Sequence, residues 1–333
     1  MMEANPILAE AIRGNWVENR HRGAYVVVDA DGKIIASAGD IERPIFPRSA
    51  IKSMQALPIF ARHAEGKFHH TEEELALACA SHHGEAEHVA TANGLLTRIG
   101  LSAADLECGA HAPTNAAARE ALRAAGAEPS PLHNNCSGKH SGMLSVALAM
   151  GVPTAGYVSR EHEVQKVVRA AVEAVIGESL TEGKCGTDGC SIPTFAAPLR
   201  AFAYGFARMS TGKGLPDELA TAARRLFDAA TSHPHLVAGT DHPDTLLMQA
   251  FKGRLMQKGG AEGVQCGAIR DKGWGYAIKC DDGNMAASHA MLAGVLLKFA
   301  DPDAEQRALI ETLAHQPIKN VRGATVGEMR TVG

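Results

Sequence analysis

Pro47-Arg48-Ser49-Ala50-Ile51-Lys52-Ser53 holds a serine and a lysine three residues apart. On a helix that spacing stacks the two side chains on one face. An amine placed there can take the proton of the hydroxyl and leave a nucleophilic oxygen. Pro44 and Pro47 end the preceding segment, so helical spacing is expected to begin near Ser49. A free lysine, with pKa ~10.4, is neutral in about one copy in a few thousand at pH 7. To act as the base, Lys52 needs its pKa lowered by roughly 3 units, or about 4 kcal/mol, by burial and a second lysine nearby. Ser-x-x-Lys also arises by chance in chains of this length, so the spacing alone is weak.

Four further segments gather chemistry-bearing residues. Cys79-Ala80-Ser81-His82-His83-Gly84 follows an apolar helix and reads either as a turn facing a cleft or as a solvated helix end favoured by the dipole. His133-Asn134-Asn135-Cys136-Ser137-Gly138-Lys139-His140-Ser141-Gly142 reads as a polar loop feeding a helix from Met143, whose N-terminus offers free N–H groups to an anion. Gly183-Lys184-Cys185-Gly186-Thr187-Asp188-Gly189-Cys190 carries a Cys-x4-Cys spacing that is not a usual structural zinc pattern. Lys258-Gly259-Gly260-Ala261-Glu262-Gly263 precedes a strand and permits either close backbone approach to a ligand or a flexible connection.

The elements that must position these segments are strands at the two chain ends and helices between them. Residues 24–38 read as a hairpin turning at Asp31-Gly32, and Val264–Arg270 with Trp274–Cys280 flank Asp271-Lys272-Gly273 as a second. Thr71-Glu72-Glu73-Glu74 is a capping box. Residues 85–98, 116–125, 161–176, 194–208, 215–230 and 285–300 have helical spacing, the last being apolar around most of its circumference. Regular β-α alternation is missing. The expected class is α+β: one antiparallel sheet built from both chain ends with a helical insertion. We read residues 1–333 as a single catalytic domain, with a sheet subdomain from about 1–45 and 255–333 and a mainly helical one from about 46–254.

Composition excludes several classes. The 333 residues are 45% hydrophobic and 21% charged with a net charge of −4, and no face-sized run of Lys and Arg marks a nucleic-acid surface. Aromatic residues make up only 5%, too few for base-stacking platforms. No run spans a bilayer, and the stretch from Met1 to Pro6 does not open a signal peptide. Seven cysteines, an odd number in a large chain, fit a reduced cytoplasmic protein.

Together the five segments resemble the asparaginase II family of the Rhizobium etli type, the class 3 L-asparaginases. The resemblance covers essentially the whole chain, and Asn134–His140 and Thr187–Ser191 are its specific parts. It implies the serine β-lactamase and glutaminase fold, with L-asparagine as the small-molecule substrate. It further implies a homodimer, and composition leaves no membrane or nucleic-acid partner expected. By position, Ser49 is the implied nucleophile, Lys52 its base, and Ser81 with Lys258 a second Ser-Lys pair. Arg48, His82, Asn134, His140 and Glu262 fall at the implied substrate site. Zinc is implied on Cys136, Lys139 and Cys190, with Asp188 supporting it from outside. A glutaminase of similar fold is the close rival, because a pocket discriminates one methylene by only ~1–3 kcal/mol. A penicillin-recognising hydrolase and a zinc-stabilised binding protein are more distant rivals.

Overall fold

Tyr25-Val26-Val27-Val28 is apolar without alternation, as expected of a strand covered on both faces. In the computed structural model it lies in the middle of a sheet with helices on each side. Val26 and Val28 join a core shared with the helix Leu199–Thr211, while Val27 joins a second core with the helices Met285–Phe299 and Ala304–Ala314. The model describes residues 4–332. Met1–Glu3, part of the stretch read for a leader, and Gly333 lie outside them.

The sheet has eight strands: β1 (Ile7–Arg13), β2 (Trp16–Asp29), β3 (Ile34–Ala38), β4 (Leu255–Gly260), β5 (Val264–Ile269), β6 (Trp274–Cys280), β7 (His315–Lys319) and β8 (Thr325–Thr331). Its order is β7-β8-β1-β2-β6-β5-β4, with β3 also on β2, and every pairing is antiparallel. The chain ends therefore do build one sheet, and the α+β class holds. The 14-residue β2 joins the two halves, pairing β1 along Trp16–Arg22 and β6 along Gly23–Asp29.

The capping box at Thr71 is present, and the helices Ala86–Arg98, Ala116–Ala124, Glu163–Ile176, Asp217–Ser232 and Met285–Phe299 match the spacing closely. Three expectations need correction. The helix expected over 194–208 begins at Leu199, because Pro193 and Pro198 each lack an N–H and sit in short strands ahead of it. The helix expected from Met143 begins at Ser137, so Lys139 and His140 are helical. The glycine-rich stretch from Lys258 is not a loose connection: Lys258 to Gly260 end β4. Strands β1, β7 and β8 go unread, although Gly14-Asn15 between β1 and β2 is a two-residue hairpin signal. Among the described residues no helix is long and apolar enough to cross a membrane.

Helix Leu199–Thr211 comes unusually near the sheet. A Cβ on Gly275 of β6 would meet Ala203 O at 2.0 Å and Ala207 N at 2.4 Å, so only glycine fits. We predict that Gly275→Val lowers unfolding free energy by about 2–3 kcal/mol or more, since backbone on both sides blocks relaxation. Urea denaturation tests this, and an unchanged midpoint would refute the close packing.

Candidate active site

The turn Arg48–Ile51 is a 3-10 helix that runs into the short α-helix Lys52–Gln55, so Ser49 and Lys52 do share a helical segment. Their side chains nevertheless part. Lys52 is fully buried and its Nζ donates to Ala80 O, to Ser81 Oγ at 2.9 Å and to Cys136 Sγ at 3.1 Å. These three acceptors use the three N–H bonds of an ammonium. The expected Ser49–Lys52 hydrogen bond is therefore absent among the described residues, because tertiary partners outcompete the local one.

Ser81 is the meeting point. Its backbone N–H donates to Val237 O at 2.9 Å, fixing the segment that leaves the capped helix. Lys258, on β4, reaches Ser81 Oγ at 3.0 Å and Gly259 O at 2.7 Å. Burial pushes the Lys258 amine down to about 8; the charge of Lys52 helps, and Asp244 opposes. A neutral Lys258 can accept the Ser81 proton while Ser81 accepts one from Lys52, which satisfies all three groups.

Ser49, Ser81, His82 and Lys258 line one open cleft of about 350 Å³. Its walls also include residues that the sequence reading did not single out, notably His83, Thr114, Asn135, His242 and His289. His83 and Asn135 lie within recognised segments, but His242 caps a helix the sequence reading did not mark, and His289 comes from one whose spacing signals only packing. Gly260 seats Ser49: a Cβ there would lie 2.7 Å from Pro47 O and 3.0 Å from Ala50 N.

The residues expected to contact substrate are largely tied to other parts of the protein, although His82 also lines the cleft. His82 is neutral, its titration pushed well down by burial; its Nδ1 accepts from Gly84 N and its Nε2 meets Ser137 Oγ at 2.9 Å. His140 is wholly buried against the Tyr157 hydroxyl at 2.6 Å. The Asn134 side chain binds Cys108 O, Gly109 O and Cys136 N, each at 2.9 Å, which spends it on shaping its own loop. Arg48 turns to Asp188 at 2.7 Å, and Glu262 is an exposed turn residue beside the cleft-lining Ala261.

Beneath Ser81 sit Cys136, Lys139 and Cys190, all at most 4% exposed. Gly138 lets their helix approach, since a Cβ there would stand 2.3 Å from Leu77 O of the capped helix. Lys139 Nζ lies 3.1 Å from Cys190 Sγ. A hydrogen bond from Cys190, reinforced by Lys52 and Lys139, holds the Cys136 thiol well below its usual range. Burial works against the charge of Lys139, but the two sulfurs outweigh it and raise its pKa. Two sulfurs and an amine thus converge, a donor set suited to a thiophilic cation once the Cys190 and Lys139 protons leave. Elsewhere, His21–Cys280–Asp282 and Glu85–His88–His235 also have ligand-like spacing.

The sequence profile of the L-asparaginase II family matches residues 9–331. The chain belongs to that family. No curated protein sequence matches it. Solved structures give distant likenesses. A crystal structure of Mglu is 14% identical with a TM-score of 0.45, covering 85% of this chain and 69% of that one. A β-lactamase from Mycobacterium bovis is 14% identical with a TM-score of 0.43 over 84% and 95% of the two chains. Simvastatin synthase from Aspergillus terreus, in a mutant form, is 12% identical with a TM-score of 0.41 over 78% and 86%.

The seating of Ser49 against β4 yields a test. Gly260→Ala should cut turnover by at least about tenfold, because a sub-ångström to ångström displacement of a nucleophile costs that much or more. Steady-state kinetics alongside a thermal melt check it. Full activity would show that Ser49 does not depend on this contact.

Proposed function

We propose that the protein hydrolyses L-asparagine to L-aspartate and ammonia through a serine acyl-enzyme. The observation that carries this reading is the cleft wall itself: Ser49, Ser81 and Lys258 face one space, and Lys258 and the buried Lys52 share the Ser81 hydroxyl.

In this scheme Ser49 Oγ attacks the side-chain amide carbon of asparagine. Its proton passes to the Ser81–Lys258 pair, where neutral Lys258 becomes an ammonium. The N–H groups of Ser49 and Ala261 are the donors assigned to the oxyanion, since Gly260 brings the 259–261 backbone against the Ser49 turn. Lys258 then gives its proton to the amide nitrogen, the C–N bond breaks and ammonia leaves. Water attacks the aspartyl ester, surrendering a proton to Lys258, and the returning proton restores Ser49 as aspartate departs. Lys52 remains an electrostatic neighbour that disfavours a second charge on Lys258.

Cys136, Lys139 and Cys190 are the residues that would hold zinc. When bound, such an ion supplies positive charge and Lewis acidity next to the cleft. These three side chains organise the Asn135 loop that lines the cleft, and a serine already fills the nucleophile's place.

Four measurements test the reading. Ser49→Ala should reduce ammonia release from asparagine by at least about a thousandfold, and rapid-quench mass spectrometry of the wild type should find the aspartyl group on Ser49. An acyl group on Ser81 would reverse the roles, and faster release from glutamine would move the substrate one methylene. Purified protein should contain one zinc per chain. Cys190→Ser should lose it and weaken asparagine binding more than it lowers the maximum rate. A metal-free wild type of full activity would remove the ion from the scheme.

A further inference from the structure

Lys258 sits near the end of β4, and the residues on either side of it are tied to the same carboxylate. Asp244, wholly buried at the start of the helix Pro243–Phe251, accepts the Gly259 N–H at 2.7 Å and the Gln257 side-chain amide at 3.2 Å. Gln257 also donates to Gln265 at 2.7 Å and accepts the Tyr276 hydroxyl at 2.7 Å. Gln265 continues to Ser288 at 3.0 Å, and Ser288 donates to Met285 O at 2.8 Å, where the helix meets the cleft.

Each of these five side chains is 0% exposed, and they come from two helices and three strands. Burying five polar groups is unfavourable unless every one is bonded. An apolar filling would serve packing as well or better. The network ends on the two neighbours of Lys258 rather than running through the core at random, and that placement requires an explanation.

We propose that Asp244 is the positioning residue of Lys258: it clamps the strand on both sides of the lysine, and its charge holds the amine ready to take a proton from the Ser81 hydroxyl. The groups facing Lys258 are Lys52, Cys79, Cys136, His83, His242 and Asp244, with Cys266 beside it on β5. Asp244 is the one carboxylate among them. Burial lowers the Lys258 pKa and Asp244 restores part of it, so removing the charge must lower it further.

The proposal takes Lys258 as the proton carrier of the amidohydrolase scheme, but its first test needs no substrate. Acetic anhydride labelling of Lys258, followed across pH by peptide mass spectrometry, gives the titration midpoint of the amine directly. In Asp244→Asn, which keeps the shape and the acceptor for Gly259, the midpoint should fall by roughly one pH unit. The alkaline-rising limb of kcat on asparagine should move down with it, while kcat at the optimum drops about tenfold and KM changes little. An unchanged or raised midpoint overturns the proposal.

Gln257→Leu keeps the charge and loses one arm of the clamp. It should lower kcat without lowering the midpoint, and a wild-type kcat there overturns the positioning role even if Asp244→Asn fails to fold. A shifted midpoint in a wild-type background that releases no ammonia from asparagine would leave Asp244 in its role and remove the substrate assignment instead.

Discussion

Two buried amines rest on one hydroxyl, and the rest of the site follows from that arrangement. Lys52 and Lys258 lie at 2.9 and 3.0 Å from Ser81 Oγ, so their nitrogens are within about 6 Å of each other. Two full charges at that distance repel by about 3 kcal/mol at an effective dielectric of 20, in addition to the cost of desolvating each. The chain relieves this by giving the two lysines unlike surroundings. Lys52 gets a carbonyl, a hydroxyl and a sulfur; Lys258 gets one carbonyl and the hydroxyl. The asymmetry makes Lys258 the amine that can be neutral near physiological pH.

The same constraint extends below the cleft. Lys52 contacts Cys136, the thiol that its neighbours hold well down, and Cys136 accepts a hydrogen bond from the Cys190 thiol, which meets Lys139. Lys139 acts in turn on Asp188, whose carboxylate pairs with Arg48, the residue before Ser49. Positive and negative groups alternate from Ser81 back to the Ser49 turn. No member is an isolated buried charge, which is the condition under which such a cluster can persist. It also means that Cys136, Lys139 and Cys190 and the Ser-Lys pairs are one electrostatic unit rather than two neighbouring sites.

How much of this the sequence discloses depends on range. Local rules give the capping box at Thr71, the hairpin turning near Gly32 and the apolar run at Tyr25, because a few adjacent residues decide each of them. The α+β layout follows from where strands and helices fall along the chain. Strands β7 and β8 stay hidden because their mixed residues are stabilised by pairing, β8 with distant β1 and edge strand β7 with β8, rather than by their own pattern. Lys258, Cys136 and Cys190 are visible as residue types and become a site only through resemblance, since no spacing rule links positions that far apart. Asp244 and Gln257 give no signal at all. A carboxylate one residue inside a helix start reads as an ordinary first-turn acid, and its reach to β4 is a fact of packing.

The i,i+3 pairing of Ser49 with Lys52 is the clearest case of a local signal redirected by tertiary structure. On an isolated helix the two would be neighbours, and a hydrogen bond between them would be worth under about 1 kcal/mol in water. Three buried acceptors offer Lys52 far more, so it turns inward and leaves Ser49 on the cleft wall. A nucleophile held by its base must break that bond to reach the substrate. In the proposed scheme Ser49 has no such bond to break, and Lys258, the proton acceptor assigned to it, stands on a separate strand against Ser81. That scheme puts the attacking oxygen on a glycine-seated turn and the proton on a rigid sheet. Each is then held by the element best suited to its task.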